Sequence, residues 1–318
     1  MKKIVRLLRR NKTLNALVRR LLMKSRRFLD RAITYWPVSG TIEFKSEDLS
    51  VKLYARADDG LTSKLYYQKN WESSVLPWFT FFSRTSGVIV DVGANIGLYS
   101  LLAIKANDRA EVYAFEPNPN NVDRLKVNLG LNKAQDRIKI LPYATGSGDG
   151  EVQLYLPAES RISDVSSVYG SHTRSFNDFE HTSMTVRSVS LDSFFGDSGR
   201  KIDLVKIDVE LYELYVLKGM TKILLKDRPI VFCEIFNDVI KRKLNPMLDA
   251  DIHSGHTLEI AALLNEYGYS FYSITSQGLI EVPDFYYSPM SSMYLLVPKK
   301  LTQRHYLYTE RHLIESQL

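Results

Sequence analysis

From residue 87 onward, short apolar runs alternate with stretches in which apolar residues recur every three or four positions. Val88–Val92, Glu111–Phe115 and Ile138–Leu141 read as strands, separated by helices through Ala106 and through Leu131. Further along come Glu151–Leu156, Leu204–Asp208, a helix over Glu213–Leu225, Ile230–Glu234, a helix around Leu258–Tyr267, and strands at Ser270–Thr275 and Met293–Val297. This alternation predicts stacked βαβ units and a mostly parallel sheet with helices on both faces. The last two strands can pair as an antiparallel hairpin at its edge.

Ahead of this region, Thr41–Tyr67 holds short alternating segments such as Ser50–Tyr54, with Gly60 as a turn signal, and helical spacing appears around Trp71–Phe82. Between Glu159 and Arg187 the chain is polar, serine-rich and without period, which predicts a long loop or lid. In the first thirty residues Leu7, Leu14, Leu17, Val18, Leu21 and Phe28 recur at helical spacing among arginines and lysines, the pattern of a basic amphipathic helix. The expected organisation is a basic helical arm over 1–40, a small β/helical lead-in over 41–86, a catalytic domain over 87–298 and a charged helical tail over 299–318.

With 45% hydrophobic and 25% charged residues, the 318-residue chain can build an ordinary folded core. Charge alters the picture once it is mapped. Met1–Arg31 carries twelve Lys or Arg against one acid, Asp30, a segment charge of +11; the total is +6, so the remainder carries −5. That acidic body argues against a nucleic-acid enzyme, which would surround the modified base with basic surface. The arm suits an anionic membrane surface; the alternatives are packing on its own domain or on a second subunit of a homo-oligomer, and an organellar targeting peptide. Its longest charge-free stretch, Thr13–Val18, is far shorter than a signal-peptide core or the roughly 20 residues of a membrane span. A cytoplasmic protein, peripheral at the inner membrane face, is the expectation. The single Cys233 lies in an apolar run and excludes intrachain disulfides and cysteine metal sites within one chain.

The strand Val88–Val92 leads into Gly93-Ala94-Asn95-Ile96-Gly97 and then a helix. Glycines there let a ligand approach the backbone and permit unusual dihedrals. The Gly-Lys-Ser/Thr ending of a phosphate loop is absent, and the G-x-x-x-G spacing differs from the dinucleotide fingerprint. One βα unit downstream, the strand Glu111–Phe115 ends in Glu116-Pro117. A carboxylate at this place accepts hydrogen bonds from a ribose diol; alone it could equally be an acid at a helix N-terminus. Together with Asp91 and the glycine turn it points to a nucleoside site.

At this point the sequence resembles the FkbM-type family of S-adenosylmethionine-dependent methyltransferases. The resemblance is carried by Asp91-Val92-Gly93-Ala94-Asn95-Ile96-Gly97, Phe115-Glu116-Pro117, Leu191-Asp192, and Val205-Lys206-Ile207-Asp208-Val209-Glu210 with Glu213. It covers roughly residues 70–298 and implies a Rossmann-like class I α/β fold with a mostly parallel seven-stranded sheet. It implies further that Gly93–Gly97 lies under the methionine part of S-adenosylmethionine, that Glu116 binds the ribose, and that Tyr143-Ala144 borders the adenine. Asp91, Gly93, Ala94, Asn95, Gly97, Ser100, Glu116, Pro117, Tyr143 and Ala144 are thus the expected cofactor residues. The family pattern Asp-Val-Glu-Gly-x-Glu is broken here by Leu211. Since Leu adopts a positive φ at a cost, either the turn does not need one or the acceptor site is reshaped.

Asp208 ends a central strand, where doubly wound sheets place ligands, and the Asn/Asp-Pro-Pro-aromatic element of amino-group methylation on nucleic-acid bases is absent. An oxygen acceptor, a small molecule or glycan hydroxyl, fits better. Asp208, Glu210 and Glu234 are the candidate proton acceptors, with His172 and His181 of the polar loop as further bases. A magnesium ion on Asp208, Glu234 and Asn237 is a subsidiary reading, and no metal is assigned. The competing functions are a nucleic-acid or protein methyltransferase docking through the arm, and a non-catalytic cofactor-binding assembly protein.

Overall fold

The structure, a computed structural model, describes residues 38–57, 59–68, 70–157, 168, 181–196, 198–236, 250–285 and 292–298. Residues 1–37 of the basic arm, the tail after Pro298, His172 and Asn237 lie outside the described residues. The chain opens with a hairpin, β1 (Gly40–Ser46) and β2 (Leu49–Ala55), followed by α1 (Gly60–Tyr67) and α2 (Leu76–Ser83). Gly60, read as a turn signal, is the first residue of α1; the helix starts there because the Asp59 carboxylate accepts from Leu61 N and Thr62 Oγ1.

The main sheet then alternates with helices as the pattern required: β3 (Val88–Val92), α3 (Leu98–Ala106), β4 (Glu111–Phe115), α4 (Pro119–Asn132) and β5 (Ile138–Leu141). After an intervening small sheet come α5 (Leu191–Phe195), β9 (Leu204–Ile207), α6 (Glu213–Lys218), α7 (Thr221–Lys226) and β10 (Ile230–Glu234). Helix α8 (Ala250–Glu266) and the strands β11 (Ser270–Thr275), β12 (Gly278–Val282) and β13 (Met293–Val297) complete it. The strand order is β12-β11-β13-β10-β9-β3-β4-β5, with the run from β10 to β5 parallel and β13, β11 and β12 antiparallel. This is the Rossmann-like class I fold. It has eight strands instead of seven, because β12, unread in the sequence, pairs with β11 and takes the edge. The expected β11–β13 pairing holds, but β13 lies inside, against β10.

Two cores explain why the central strands read as unbroken apolar runs. Ile89, Val112, Leu204 and Phe232 face one layer with α2 and α3, while Val90, Tyr113, Val205 and Val231 face the other with α6, α7 and α8. The lead-in belongs to the first layer: Val51 and Leu53 of β2 are buried in it. It is also pinned to α4 by polar groups. Asn128 and Asn132 accept from Tyr54 N at 2.7 Å and Lys52 N at 2.9 Å, and Arg124 pairs with Asp59, both buried.

Two expectations are corrected. Glu151–Leu156 belongs to a separate three-stranded sheet of β6 (Ala144–Thr145), β7 (Gly150–Pro157) and β8 (His181–Val189), so residues 181–187 of the predicted loop are strand. The helix read over 213–225 is two helices broken at Gly219, where a Cβ would stand 1.9 Å from the Gly146 carbonyl oxygen. His181 pairs along β8 with Pro157.

Candidate active site

At the carboxyl ends of β3, β4 and β9 the sheet opens into a cavity of about 290 Å³, lined by the glycine turn, Glu116, Tyr143, Ala144 and Asp208 among others. Such a volume stands at the low end of the roughly 300–1,000 Å³ usual for small-molecule sites. Gly93, Asn95 and Gly97 have φ of +74°, +51° and +84°. The room that the two glycines leave is taken up by protein: a Cβ on Gly93 would stand 1.9 Å from the Asp208 carbonyl oxygen, and one on Gly97 would stand 2.1 Å from Leu125 Cδ1. Their role is to bring the turn against β9 and α4, more than to admit a ligand.

Glu116, 3% exposed, sits at the floor of this turn. Its Oε2 accepts from Asn95 N at 2.8 Å and its Oε1 from Asn118 N at 2.9 Å and Asn121 Nδ2 at 3.4 Å. Burial pushes its carboxyl up to about 7 against these hydrogen bonds. Among the described residues, the buried Oδ1 atoms of Asn95 and Asn121 have no hydrogen-bond partner, and both residues line the cavity. Two orphaned acceptors beside a carboxylate match the hydroxyl and amino donors of an adenosine. Asp91, Gly97 and Ser100 are not among the lining residues. Asp91 is fully buried behind the turn, accepting from Ser100 N and Oγ at 3.1 and 2.6 Å, and braces the start of α3.

The three candidate bases converge: Asp208, Glu210 and Glu234 offer carboxylate oxygens within 4.8 Å of one another, and all line the cavity. Burial, then the charges of Asp208 and Glu210, hold the Glu234 carboxyl well above the ordinary range. Ser292 Oγ donates to Glu234 Oε1 at 2.9 Å. Asp208 forms an ion pair with Lys206 Nζ at 3.1 Å, and the same ammonium lies 3.8 Å from Asp91 and 3.3 Å from the Gly93 carbonyl oxygen. Burial opposes the lysine's charge, but Asp208 and Asp91 outweigh it and hold its pKa above the usual value.

Leu211 answers the question raised by the missing glycine. It adopts φ +76° after Glu210 at +54°, so the turn does need the left-handed conformation, and a leucine bears its strain. Glu213 secures that turn, accepting from Val209 N at 3.3 Å and Leu211 N at 3.2 Å. Burial raises the Glu213 carboxyl to about 8.

Residues 91–271, more than half of the chain, match the methyltransferase FkbM domain. The chain belongs to the FkbM methyltransferase family. Its cofactor is therefore S-adenosylmethionine, and the orphaned acceptors and the buried Glu116 fit that group. The FkbM chain is 36% identical over 139 residues to the hexuronic acid methyltransferase AglP of Haloferax volcanii, covering 43% of this chain and 51% of AglP. It is 24% identical over 157 residues to the 2-O-methyltransferase NoeI of Sinorhizobium fredii, covering 47% and 63%. The chain thus spans only about half to two-thirds of these relatives. The crystal structure of an FkbM methyltransferase from Methylobacillus flagellatus superposes over 74% of this chain and 54% of that one, with a TM-score of 0.40 and 16% identity.

Several residues of this FkbM site went unread in the sequence. Lys206 had a signal, a lysine inside an apolar central strand, and Asn121 stands in the first turn of α4. Leu61, Lys64, Trp71 and Glu72 come from the lead-in, where no local pattern marks them as cavity residues.

Proposed function

We propose that this FkbM domain transfers a methyl group from S-adenosylmethionine to a hydroxyl of a sugar or glycan. The observation that carries the reading is the convergence of Asp208, Glu210 and Glu234 in the cavity that also holds the glycine turn and Glu116. The names of AglP and NoeI, a hexuronic acid methyltransferase and a 2-O-methyltransferase, support a sugar oxygen as acceptor. When bound, the cofactor supplies an electrophilic methyl group on a sulfonium. Glu116 and the glycine turn orient it, and in-line positioning of this kind can supply several kcal/mol of the barrier. The proton that the acceptor hydroxyl would lose on methylation passes to Asp208, whose place beside Lys206 fixes its direction. Glu234, its carboxyl held well above the ordinary range by burial and by the charges of Asp208 and Glu210, stands beside Asp208 in the same cluster. A base so placed contributes roughly 10²–10⁴-fold.

Incubation with methyl-labelled S-adenosylmethionine and a panel of hexose and uronic acid glycosides tests this, with label expected as a methyl ether on the glycoside. Label on nucleic acid or protein alone, or on no acceptor, contradicts it. The +11 charge and apolar stripe of residues 1–31 support a second element of the reading, that the arm holds the enzyme to an anionic membrane surface. No helix among the described residues is long and apolar enough to cross a membrane.

A further inference from the structure

Glu72 stands in the segment before α2 with φ +46°, an uncommon conformation for a non-glycine residue. Its carbonyl accepts from Val75 N at 2.9 Å and Leu76 N at 3.0 Å, so the start of α2 locks the backbone there. The carboxylate lines the cavity and accepts from Tyr99 Oη through Oε2. Tyr99 is two residues past the glycine turn, and its ring lies 5.0 Å from Lys206 Nζ. Glu72 therefore faces the cavity from the side of α3 and β9, whereas Glu116, at the end of β4, marks the ribose side.

The charges around Glu72 are unbalanced. The ammonium whose charge acts on it, Lys206, is shared between Asp208 and Asp91. Burial pushes the Glu72 carboxyl up to about 7, helped by the charge of Asp208 and opposed by the Tyr99 hydrogen bond and Lys206. A ligand cation set there would be desolvated and would meet a carboxylate with little cationic compensation of its own. S-adenosylmethionine laid from Glu116 across Gly93–Asn95 carries such a group, the α-ammonium of its amino-acid end.

We propose that Glu72, oriented by Tyr99, is the acceptor for the α-ammonium of the cofactor. Oε2 is held by Tyr99, and Oε1 takes the ammonium in a charge-assisted hydrogen bond. The lead-in thereby becomes part of cofactor recognition. This inference rests on the S-adenosylmethionine reading of the cavity.

Calorimetry with three ligands separates the two. S-adenosylhomocysteine carries the ammonium, its desamino analogue lacks only that group, and 5′-methylthioadenosine lacks the whole amino-acid end. Wild-type protein is expected to bind S-adenosylhomocysteine at least tenfold more tightly than the desamino analogue. In Glu72→Gln that ratio should fall to within about threefold, with methylthioadenosine affinity within about twofold of wild type. Equal affinity of wild type for S-adenosylhomocysteine and its desamino analogue overturns the assignment without involving any variant. So does a ratio preserved in Glu72→Gln. If wild type binds neither S-adenosylhomocysteine nor methylthioadenosine, the cofactor reading falls as well.

Discussion

Glu116 and Glu213 are both buried carboxyls held by backbone amides, yet they have different work to do. Glu116 opens onto the cavity beside two unpartnered amide oxygens, so its bonds to a bound ribose replace solvent at a site already desolvated. Glu116→Ala should weaken S-adenosylhomocysteine binding by roughly tenfold to a hundredfold, the loss of one or two charge-assisted hydrogen bonds, with calorimetry as the check. Glu213 instead holds the strained Glu210–Leu211 turn. Its folded pKa of about 8 exceeds the roughly 4.3 of an unfolded chain, so the folded state binds the extra proton between those values and stability falls as pH rises through them. Between pH 6 and 8.5 this group alone costs the fold on the order of 2 kcal/mol. Glu213→Gln keeps an oxygen for both amides and cannot ionise. Its melting temperature should exceed that of wild type by more at pH 8.5 than at pH 6, the two converging only as pH falls below about 4; parallel pH profiles for the two proteins would contradict this. Leu211 shows the limit of sequence reading at this scale: the departure from the family pattern is visible, but that a leucine would carry the positive φ depends on Glu213 and the surrounding packing.

Elements buried on both sheet faces were the most legible. β3, β4, β10 and β13 occupy the ranges read from their apolar runs, because a strand covered by helices on both sides has no polar position to blur its ends. The legibility fails where non-local contacts decide. Nothing in the helical period over 213–225 reveals that the Gly146 backbone passes against Gly219; the approach is set by how the small sheet meets α6 and α7. Gly219→Ala would force a Cβ into that carbonyl, an overpacking cost of roughly 1–3 kcal/mol. A drop in melting temperature of about 1–5 °C is expected by calorimetric scanning, and an unchanged value would show that the junction yields freely. The glycine turn illustrates a partial reading. Its place and its need for unusual dihedrals were foreseen, while the Asp208 carbonyl and Leu125 that fill the space beside it were not.

For the molecule as a whole, the sequence separates a strongly basic first segment from an acidic body, and the structure puts carboxylates around the cavity in that body. A cofactor with net positive charge is attracted to such a site and its neutral product is held less strongly, a difference that favours product release. The basic segment serves attachment in the proposed account. Removing residues 1–31 should abolish sedimentation with anionic vesicles and leave S-adenosylhomocysteine affinity within about twofold, since the described cavity residues begin at Leu61. Equal sedimentation of both proteins would remove the membrane reading. The cofactor half of the site could be anticipated because its motifs are local in sequence. The acceptor half was less accessible, since Glu234 reaches Asp208 only through the pairing of β10 with β9, and Glu72 reaches the cavity only through the packing of the lead-in, which no local motif marks.

Single-turnover methyl transfer by Asp208→Asn tests the central claim most directly. The substitution preserves size and hydrogen-bonding capacity while removing the charge that faces Lys206. The account predicts a folded protein whose S-adenosylhomocysteine affinity stays within about threefold of wild type and whose transfer rate to a glycoside hydroxyl falls at least tenfold. A rate close to wild type in a folded, cofactor-binding Asp208→Asn protein would contradict it and move the proton to another group.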